Sequence, residues 1–521
     1  MKFPLTPLRC LHRAIDLYGA KVGVVCGDRR FTYAEFGARC QKLASALVRS
    51  GVRPADRIGF LSYNTHRLLE GYFGAPQARA MAMPLNVRLT PVELGAILRH
   101  SEARVLFFEA EFGPLVGQLK AAWPSMRTVN LDTEYEDFLA GGTAERADIL
   151  SYDEDAIAEL FYTSGSTGTP KGVMLSHRTV YMHALAVTST FDLNDGGVEL
   201  HTIPLFHANG WGRPQTATMM GQKQVMVRRF DPALVCRLIR DEGATAMSVV
   251  PVMANALLNF ADLGRFDFSS LQDIHIGGAA ASPELVARME AAFHCRVMGG
   301  YGLTETCPVV TSARPKSTAV FVDEADRIRH QAMAGWPIPG TEIRVVDAQM
   351  IDVPRDMASV GEVVIAGDNV MDGYFREPEA TAAAMSGPWL HTGDMAVWDP
   401  EGYIDIVDRK KDVIISGGEN ISSIEVEKAI AAHPEVLEAA VVGAPDPRWG
   451  EVPVAFVVRK PGAPLAEEEL REFIGERLAK FKMPRVYEFL AEPLPKGGTG
   501  KILKKELREK LWAGKEKRVQ G

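Results

Sequence analysis

The stretch Tyr162-Thr-Ser-Gly-Ser-Thr-Gly-Thr-Pro-Lys-Gly172 decides the fold class and indicates the chemistry of this chain. Residues 158–162 predict a buried strand before it, and a helix is expected to begin near Ser176. Glycine lets backbone N–H groups approach phosphate oxygens closely, hydroxyl groups donate hydrogen bonds, and lysine adds positive charge. The segment therefore predicts a phosphate-binding loop between a strand and a helix.

This loop differs from the P-loop of nucleotide triphosphatases. A P-loop ends in Gly-Lys followed by Ser or Thr, whereas here Pro170 precedes Lys171 and Gly172 follows it. Proline has no backbone N–H to offer to a phosphate. We therefore expect the loop to cover nucleotide phosphates as a mobile segment rather than to cradle them as a P-loop does.

Outward from the loop, strand-like and helix-like segments alternate along the chain. Capping boxes at Thr32–Glu35 and Thr90–Glu93 predict two helix starts, and residues 56–61 and 104–108 read as buried strands. Alternation of this kind is typical of an α/β architecture with mostly parallel sheets. We expect two α/β subdomains in this part of the chain.

The pattern changes near residue 340. Short β segments at 342–346, 361–365 and 402–406 predict a small β-rich subdomain, and a charged stretch at 408–412 suggests a domain boundary. We therefore divide the chain into a large N-terminal body, residues 1–410, and a small α+β C-terminal domain, residues 411–521.

Composition excludes several classes of protein. With 58 Lys and Arg against 66 Asp and Glu, the net charge of −8 argues against a nucleic-acid binder, and 46% hydrophobic residues are enough for a globular core. The longest apolar window, residues 245–261, is interrupted by polar residues, so no membrane-spanning segment is expected. The N-terminus is too polar for a signal peptide. Six cysteines lack the spacing of a metal site or a disulfide framework, which favours a reducing compartment, the cytoplasm by default.

Further motifs follow the loop in a fixed order. They are Gly277-Gly-Ala279, Tyr301-Gly-Leu-Thr-Glu-Thr306, His391-Thr-Gly-Asp394, Asp408-Arg409, Gly417-Gly-Glu-Asn420 and Pro495-Lys-Gly-Gly-Thr-Gly-Lys501. Together with the loop, this series resembles the adenylate-forming superfamily, which includes acyl- and aryl-CoA synthetases, peptide-synthetase adenylation domains and firefly luciferase. The resemblance covers nearly the whole chain and is closest to fatty acyl-CoA synthetases.

The resemblance implies a ligase that works in two steps with ATP, Mg²⁺ and coenzyme A. A carboxylate first attacks the α-phosphate of ATP to give acyl-AMP and pyrophosphate, and a thiol then displaces AMP. Lys501, Thr304, Glu305 and His207 are implied as catalytic residues, with Glu305 holding Mg²⁺. The residues implied to bind ATP or AMP are Thr163, Ser164, Gly165, Ser166, Thr167, Gly168, Lys171, Gly277, Gly278, Ala279, Tyr301, Gly302, Thr304, Asp394, Arg409 and Lys501.

The second step implies a mobile C-terminal domain. By resemblance, Lys411 is the hinge about which this domain rotates, although many relatives carry Asp there. Gly417, Gly418 and Glu419 would then form the channel for the pantetheine arm of coenzyme A, where the two glycines allow close approach.

An acyl pocket is implied by the run Phe-His-x-Asn-x-Trp. Its implied members are Phe206, His207, Trp211, Val250, Gly302 and Leu303. No charged residue occurs in these segments, which argues against an amino-acid substrate because its ammonium group would stay buried and unpaired. The expected substrate is a fatty or other apolar carboxylate.

Four alternatives stay open. The enzyme would be an acyl-AMP ligase that transfers to a carrier protein, an aryl-CoA ligase, a luciferase-like oxygenase, or a nucleotide-binding regulatory protein with an inactive site. Small-molecule carboxylate, ATP and CoA are the expected partners, with no nucleic acid, and a homodimer stays open.

Overall fold

The structure is a computed structural model. It describes residues 3–123, 126–163, 170–409, 412–416, 419–446, 448–496 and 502–512. The chain is mixed α/β, with a large N-terminal body and a small C-terminal domain, as the sequence predicts.

The helices and strands are numbered in chain order. The helices are α1 Leu8–Tyr18, α2 Tyr33–Arg49, α3 His66–Gln77, α4 Pro91–Ser101, α5 Gly113–Ala122, α6 Tyr135–Ala140, α7 His177–Thr190, α8 Arg213–Met220, α9 Pro232–Glu242, α10 Pro251–Leu258, α11 Pro283–Phe293, α12 Glu324–Ala332, α13 Pro378–Ala384, α14 Ser423–Ala431, α15 Glu467–Gly475 and α16 Lys504–Trp512. The strands are β1 Val22–Cys26, β2 Arg29–Thr32, β3 Arg57–Leu61, β4 Met81–Pro84, β5 Val105–Phe108, β6 Arg127–Asn130, β7 Ile157–Thr163, β8 Lys171–Ser176, β9 Val198–His201, β10 Lys223–Met226, β11 Ala246–Val249, β12 Asp273–Ile276, β13 Arg296–Gly302, β14 Val309–Ser312, β15 Trp336–Pro337, β16 Thr341–Val346, β17 Gly361–Gly367, β18 Gly373–Tyr374, β19 Met385–Ser386, β20 Trp389–Trp398, β21 Ile404–Arg409, β22 Ile414–Ser416, β23 Glu419–Ile421, β24 Val436–Asp446, β25 Gly450–Arg459 and β26 Val486–Leu490.

The first sheet has seven strands in the order β18-β8-β7-β4-β3-β5-β6. From β7 to β6 the strands are parallel. Phe60 and Phe107 stack between neighbouring strands, and Phe36 and Phe73 from α2 and α3 join the same buried cluster. Burial on both faces explains why these strands read as continuous apolar runs in the sequence.

The second sheet has nine strands in the order β15-β14-β13-β12-β11-β9-β10-β1-β2. Its core is formed by Val225, Met247 and Ile274 on the strands and by Val286 and Phe293 on α11. Strands β1 and β2 come from the N-terminus and complete its edge, since β1 pairs in parallel with β10. The two α/β subdomains are therefore interleaved in sequence.

Two smaller sheets follow. Strands β16, β17, β20 and β19 form one, with β21 added to β20, and this is the predicted β-rich subdomain. In the C-terminal domain the sheet runs β23-β22-β25-β24, with β26 parallel to β25. Ile414, Val426, Ile430, Val441 and Val457 form the core of that domain.

The helix predicted to begin near Ser176 is confirmed, but a strand that the sequence did not predict lies between the phosphate loop and that helix. The loop does not lead directly into the helix, because β8 (Lys171–Ser176) follows it and pairs antiparallel with β7. Val173 and Leu175 are buried in this hairpin, which explains why the segment folds as a strand. Helix α7 begins only after β8, with Ser176 as its N-cap. The N-terminus of α7 is therefore separated from the loop by the whole of β8.

Other local expectations are confirmed. Both capping boxes are present, at Thr32 with Glu35 and at Thr90 with Glu93. Among the described residues, no helix is both long enough and apolar enough to cross a membrane. All six cysteines are free thiols.

Candidate functional site

Asp394 is the centre of one polar cluster. The Tyr301 hydroxyl donates to Asp394 Oδ2 at 2.6 Å, and Arg409 Nε lies 2.5 Å from Asp394 Oδ1. Asp394 and Arg409 are directly opposed on β20 and β21, and Tyr301 lies near the end of β13. Burial, followed by the neighbouring Asp394 charge, raises the pKa of Tyr301 well above its usual range, so its hydroxyl stays a donor. Three residues predicted to contact AMP therefore meet across two sheets.

Glu305 lies in a second polar cluster, on a single 3₁₀ turn, Thr304–Thr306, that follows β13. The Tyr374 hydroxyl donates to Glu305 Oε1 at 2.9 Å, and the Lys171 ammonium lies 4.8 Å from the centre of the Tyr374 ring. Burial, together with the Glu305 charge, raises the pKa of Tyr374. Glu305 and Lys171, the first residue of β8, thus both contact the side chain of Tyr374.

The loop itself is framed by two residues. Thr163 ends β7, Lys171 begins β8, and the two are paired across the hairpin. Because Lys171 belongs to a paired strand, its backbone is held by the sheet. Its side chain is therefore presented from a fixed position next to Tyr374.

The predicted adenine segment contacts the predicted acyl gate. A Cβ built on Gly277 would lie 3.0 Å from Trp211 Cη2, and one on Gly278 would lie 3.1 Å from Val250 Cγ1. Gly278 also has a φ of +74°, which favours glycine. Trp211 therefore covers Gly277 on the side where a side chain would project, and Trp211 and Val250 meet at Gly278.

Trp211 lies in a left-handed turn. Ala208, Asn209, Gly210, Trp211 and Gly212 all have positive φ, between +44° and +75°. Phe206 precedes this turn and is buried with the aliphatic side chains of the first sheet. His207 is partly buried, and its backbone oxygen accepts from Gly210 N at 3.0 Å.

Gly302 and Leu303 connect β13 to the Glu305 turn. Leu303 N donates to Pro308 O at 3.1 Å. A Cβ on Gly302 would lie only 1.9 Å from the same oxygen, so no side chain fits at this position. The two residues predicted to line the acyl pocket here are thus held in a tight backbone connection.

Sequence reasoning missed residues that support the segment before the left-handed turn. Asn64 Oδ1 accepts from Leu205 N at 2.7 Å, and its amide donates to the backbone oxygens of His201 and Ile203 at 2.9 Å. The Tyr72 hydroxyl donates to Leu205 O at 2.6 Å. These contacts join segments more than a hundred residues apart, and no local pattern in the sequence could have indicated them.

Comparison with known proteins identifies this arrangement. The AMP-binding enzyme family matches residues 11–375, and the AMP-binding enzyme C-terminal domain matches residues 425–501. The chain belongs to the AMP-binding enzyme family. It is 39% identical to a long-chain-fatty-acid–CoA ligase of Thermus thermophilus over 96% of this chain and 94% of that protein.

Two further comparisons show which acceptors occur among similar proteins, namely a carrier protein and CoA. A fatty acid–[acyl-carrier-protein] ligase, ScoC of Streptomyces coeruleorubidus, is 36% identical over 95% of this chain and 94% of that protein. The crystal structure of the anthranilate CoA ligase AuaEII in complex with anthranoyl-AMP has a TM-score of 0.90 at 26% identity, covering 98% of both chains. This AMP-binding enzyme therefore belongs with the acyl-CoA and acyl-AMP ligases.

Several predicted site residues of this AMP-binding enzyme lie outside the described residues. They are Ser164, Gly165, Ser166, Thr167, Gly168, Lys411, Gly417, Gly418 and Lys501. For Glu419 the structure describes the backbone only, in β23. Ala279, by contrast, is described and is exposed directly after Gly278.

The residues around Glu305 suit a magnesium ion that also contacts nucleotide phosphates. Mg²⁺ is usually held by one or two carboxylates together with substrate phosphate oxygens and water. Glu305 provides one carboxylate and Thr304 a hydroxyl, while the described residues contain no cluster of three or more His, Cys, Asp or Glu side chains that could hold a metal alone. The donor set therefore fits a metal that arrives with ATP.

Proposed function

We propose that this enzyme joins a fatty or other apolar carboxylate to CoA through an acyl-AMP intermediate, releasing pyrophosphate and AMP. The contact of Trp211 and Val250 at Gly278 carries the proposal, because it places apolar side chains directly beside the segment proposed to bind adenine. Phe206 and Leu303 are the further apolar residues that we assign to this lining. A carboxylate with an apolar chain is the ligand that such a lining suits.

The first step needs positioning and charge neutralisation rather than a base. A carboxylate oxygen, already ionised at neutral pH, forms a bond to the α-phosphorus of ATP. The bond from that phosphorus to the bridging oxygen breaks, and its electron pair leaves with pyrophosphate. Lys171 and Lys501 would supply positive charge to the phosphates. Glu305 and Thr304 would hold Mg²⁺, which supplies further positive charge there.

Asp394 would fix the ribose of the same nucleotide. Its carboxylate has more acceptor positions than the two used by Tyr301 and Arg409, so it can also accept from ribose hydroxyls. Tyr301 would stack on the adenine, and Gly277, Gly278 and Ala279 would offer it their backbone. His207, at the start of the left-handed turn, would lie beside the reacting carboxylate.

The second step is proposed to follow a rotation of the C-terminal domain. The CoA thiolate attacks the acyl carbonyl, and the bond from the carbonyl to the AMP oxygen breaks as AMP leaves. We place the domain boundary after residue 410, with Lys411 as the hinge and Gly417, Gly418 and Glu419 along the CoA channel. Separate family matches to residues 11–375 and 425–501 support a boundary in this region.

A carrier protein is the second candidate acceptor, because ScoC is named for transfer to one. Pyrophosphate release should be measured with carboxylates from acetate to palmitate and with aryl acids, each with and without CoA. We expect turnover that depends on both an apolar carboxylate and CoA. Turnover with a carrier protein but not with CoA would favour the second candidate, and a preference for aryl acids would make the enzyme an aryl-CoA ligase.

We also infer that the enzyme works in the cytoplasm. Six free cysteines, four of them buried, are in keeping with a reducing compartment. Fractionation of the native host, followed by detection of the chain in the cytosolic fraction, tests this location.

A further inference from the structure

The left-handed turn Ala208–Gly212 must be held in place by its surroundings. Three of its five residues, Ala208, Asn209 and Trp211, are not glycine although their φ angles are positive. Such a conformation costs free energy and persists only where packing and hydrogen bonds impose it. The same turn carries Trp211 and follows His207, so whatever imposes it also places two residues of the proposed acyl site.

A buried chain of hydrogen bonds reaches the middle of this turn. Asn209 Nδ2 donates to Gln215 Oε1 at 3.0 Å, and Gln215 Nε2 donates to Glu159 Oε1 at 2.6 Å. All three side chains are at most 1% exposed. Within the described residues, no cationic side chain forms an ion pair with Glu159. Burying a carboxyl group without a cationic partner costs free energy. Its presence here therefore points to a specific role for Glu159.

The last residue of this hydrogen-bond series, Glu159, lies on the strand that leads to the phosphate loop. Glu159 is on β7, which ends at Thr163, and Gln215 is on α8, directly after the turn. Tyr72 and Cys307 are the titratable neighbours of Glu159; both are buried, and the pKa of each is raised, so both are neutral beside it. Burial also raises the pKa of Glu159 itself to about 8, which keeps its carboxyl group protonated near neutral pH.

We propose that Glu159 is a positioning residue which, through Gln215 and Asn209, fixes the left-handed turn and thereby the orientation of Trp211 for the carboxylate substrate. Glu159 acts here as a neutral hydrogen-bond acceptor. The link ties the acyl side of the site to the strand of the phosphate loop. This inference rests on the proposed function insofar as the turn borders the acyl site.

Three variants test the proposal. Gln215→Met removes both hydrogen bonds that link Asn209 to Glu159, at nearly constant side-chain volume. Glu159→Gln keeps a neutral side chain of the same shape. Gln222→Met is the matched control, because Gln222 is also a buried glutamine and donates to Asn194 O at 3.0 Å, outside this chain. For each variant, KM for the carboxylate and KM for ATP are measured separately.

We expect Gln215→Met to raise KM for the carboxylate about tenfold, since two buried polar groups lose their partner. KM for ATP should stay within about twofold of the parent value in Gln215→Met. In Glu159→Gln and Gln222→Met, KM for the carboxylate and KM for ATP should both stay within about twofold of the parent values. An equal rise in both constants, no rise at all, or the same rise in the control would overturn the proposal.

A structural readout separates this inference from the proposed function. For each variant, a second protein that also carries Trp211→Phe is prepared. Subtracting its fluorescence leaves the signal of Trp211 alone among the seven tryptophans. Acrylamide should quench the fluorescence of Trp211 more strongly in Gln215→Met than in the parent enzyme. In Gln222→Met the quenching should equal that of the parent. If the parent shows no carboxylate-dependent turnover, the proposed function fails while the quenching still decides the positioning role. Unchanged quenching in Gln215→Met would overturn that role.

Discussion

Asp394 illustrates how single residues acquire a function from distant parts of the chain. Its motif, His-Thr-Gly-Asp, indicates a turn, but the two partners of the carboxylate come from β13 and β21. The sequence predicted Asp394, Arg409 and Tyr301 individually, from motifs. It could not predict that the Tyr301 hydroxyl would point at Asp394, because that contact depends on how two sheets pack.

Lys501 offers the sharpest test at the residue scale. Replacing it by Ala should slow pyrophosphate release at least about 100-fold, because in the proposed mechanism its positive charge stabilises the negative charge that develops on the phosphoryl group. Formation of thioester from supplied acyl-AMP should be spared, since that step transfers no phosphoryl group. Both rates can be followed by separation of the nucleotides.

Lys505→Ala provides the control for this measurement. Lys505 follows Lys501 by four residues, on α16, is largely exposed, and pairs only loosely with Glu509 at 3.8 Å. Its replacement should leave both half-reactions unchanged. Equal loss in both half-reactions of Lys501→Ala would contradict the role assigned to Lys501.

At the scale of elements, the phosphate loop is the instructive case. The strand before it and the helix that begins near Ser176 are both as predicted, but the sequence predicted no element for the apolar residues between the loop and that helix. They form β8, in which Val173 and Leu175 are buried on either side of the partly exposed Met174 and the strand pairs with β7. Alternation over only a few residues is a weak signal, and the neighbouring strand decides the outcome.

Gly302 tests the tight connection between β13 and the Glu305 turn. Gly302→Ala should lower the free energy of unfolding by several kcal/mol, on the order of 3, because the new methyl group meets the Pro308 carbonyl oxygen. Urea unfolding measures this loss.

Gly117→Ala is the matched substitution. Gly117 lies within α5, and a Cβ there would meet no atom within 4 Å. Alanine should therefore stabilise the enzyme by up to about 1 kcal/mol. A Gly302→Ala enzyme as stable as the parent would show that the backbone near Pro308 can yield.

At the scale of the whole molecule, several buried histidines are uncharged near neutral pH. Burial lowers the pKa of His12, His177 and His201 to about 4 and that of His66 and His183 to about 3. Since the unfolded chain takes up these protons near pH 6.5, it binds more protons than the folded enzyme between pH 6.5 and about 4.

Stability should therefore fall as pH drops through this window. Each histidine that titrates only on unfolding contributes up to about 1.4 kcal/mol per pH unit. The midpoint of urea unfolding, followed from pH 7.5 to 4.5, should decline steeply below about pH 6. In His183→Asn the decline should be less steep, by the contribution of about one proton bound on unfolding. An identical slope would show that His183 is not neutral in the folded enzyme.

Completion of the second sheet by the N-terminal strands has a consequence for synthesis on the ribosome. Strand β1 leaves the ribosome long before its partner β10, with six of the seven strands of the first sheet made in between. At usual elongation rates that wait is on the order of tens of seconds. During it, the apolar strand β1 lacks its parallel neighbour, and such an edge invites pairing with other chains. We therefore expect the N-terminal hairpin to be a segment that chaperones protect in the nascent enzyme.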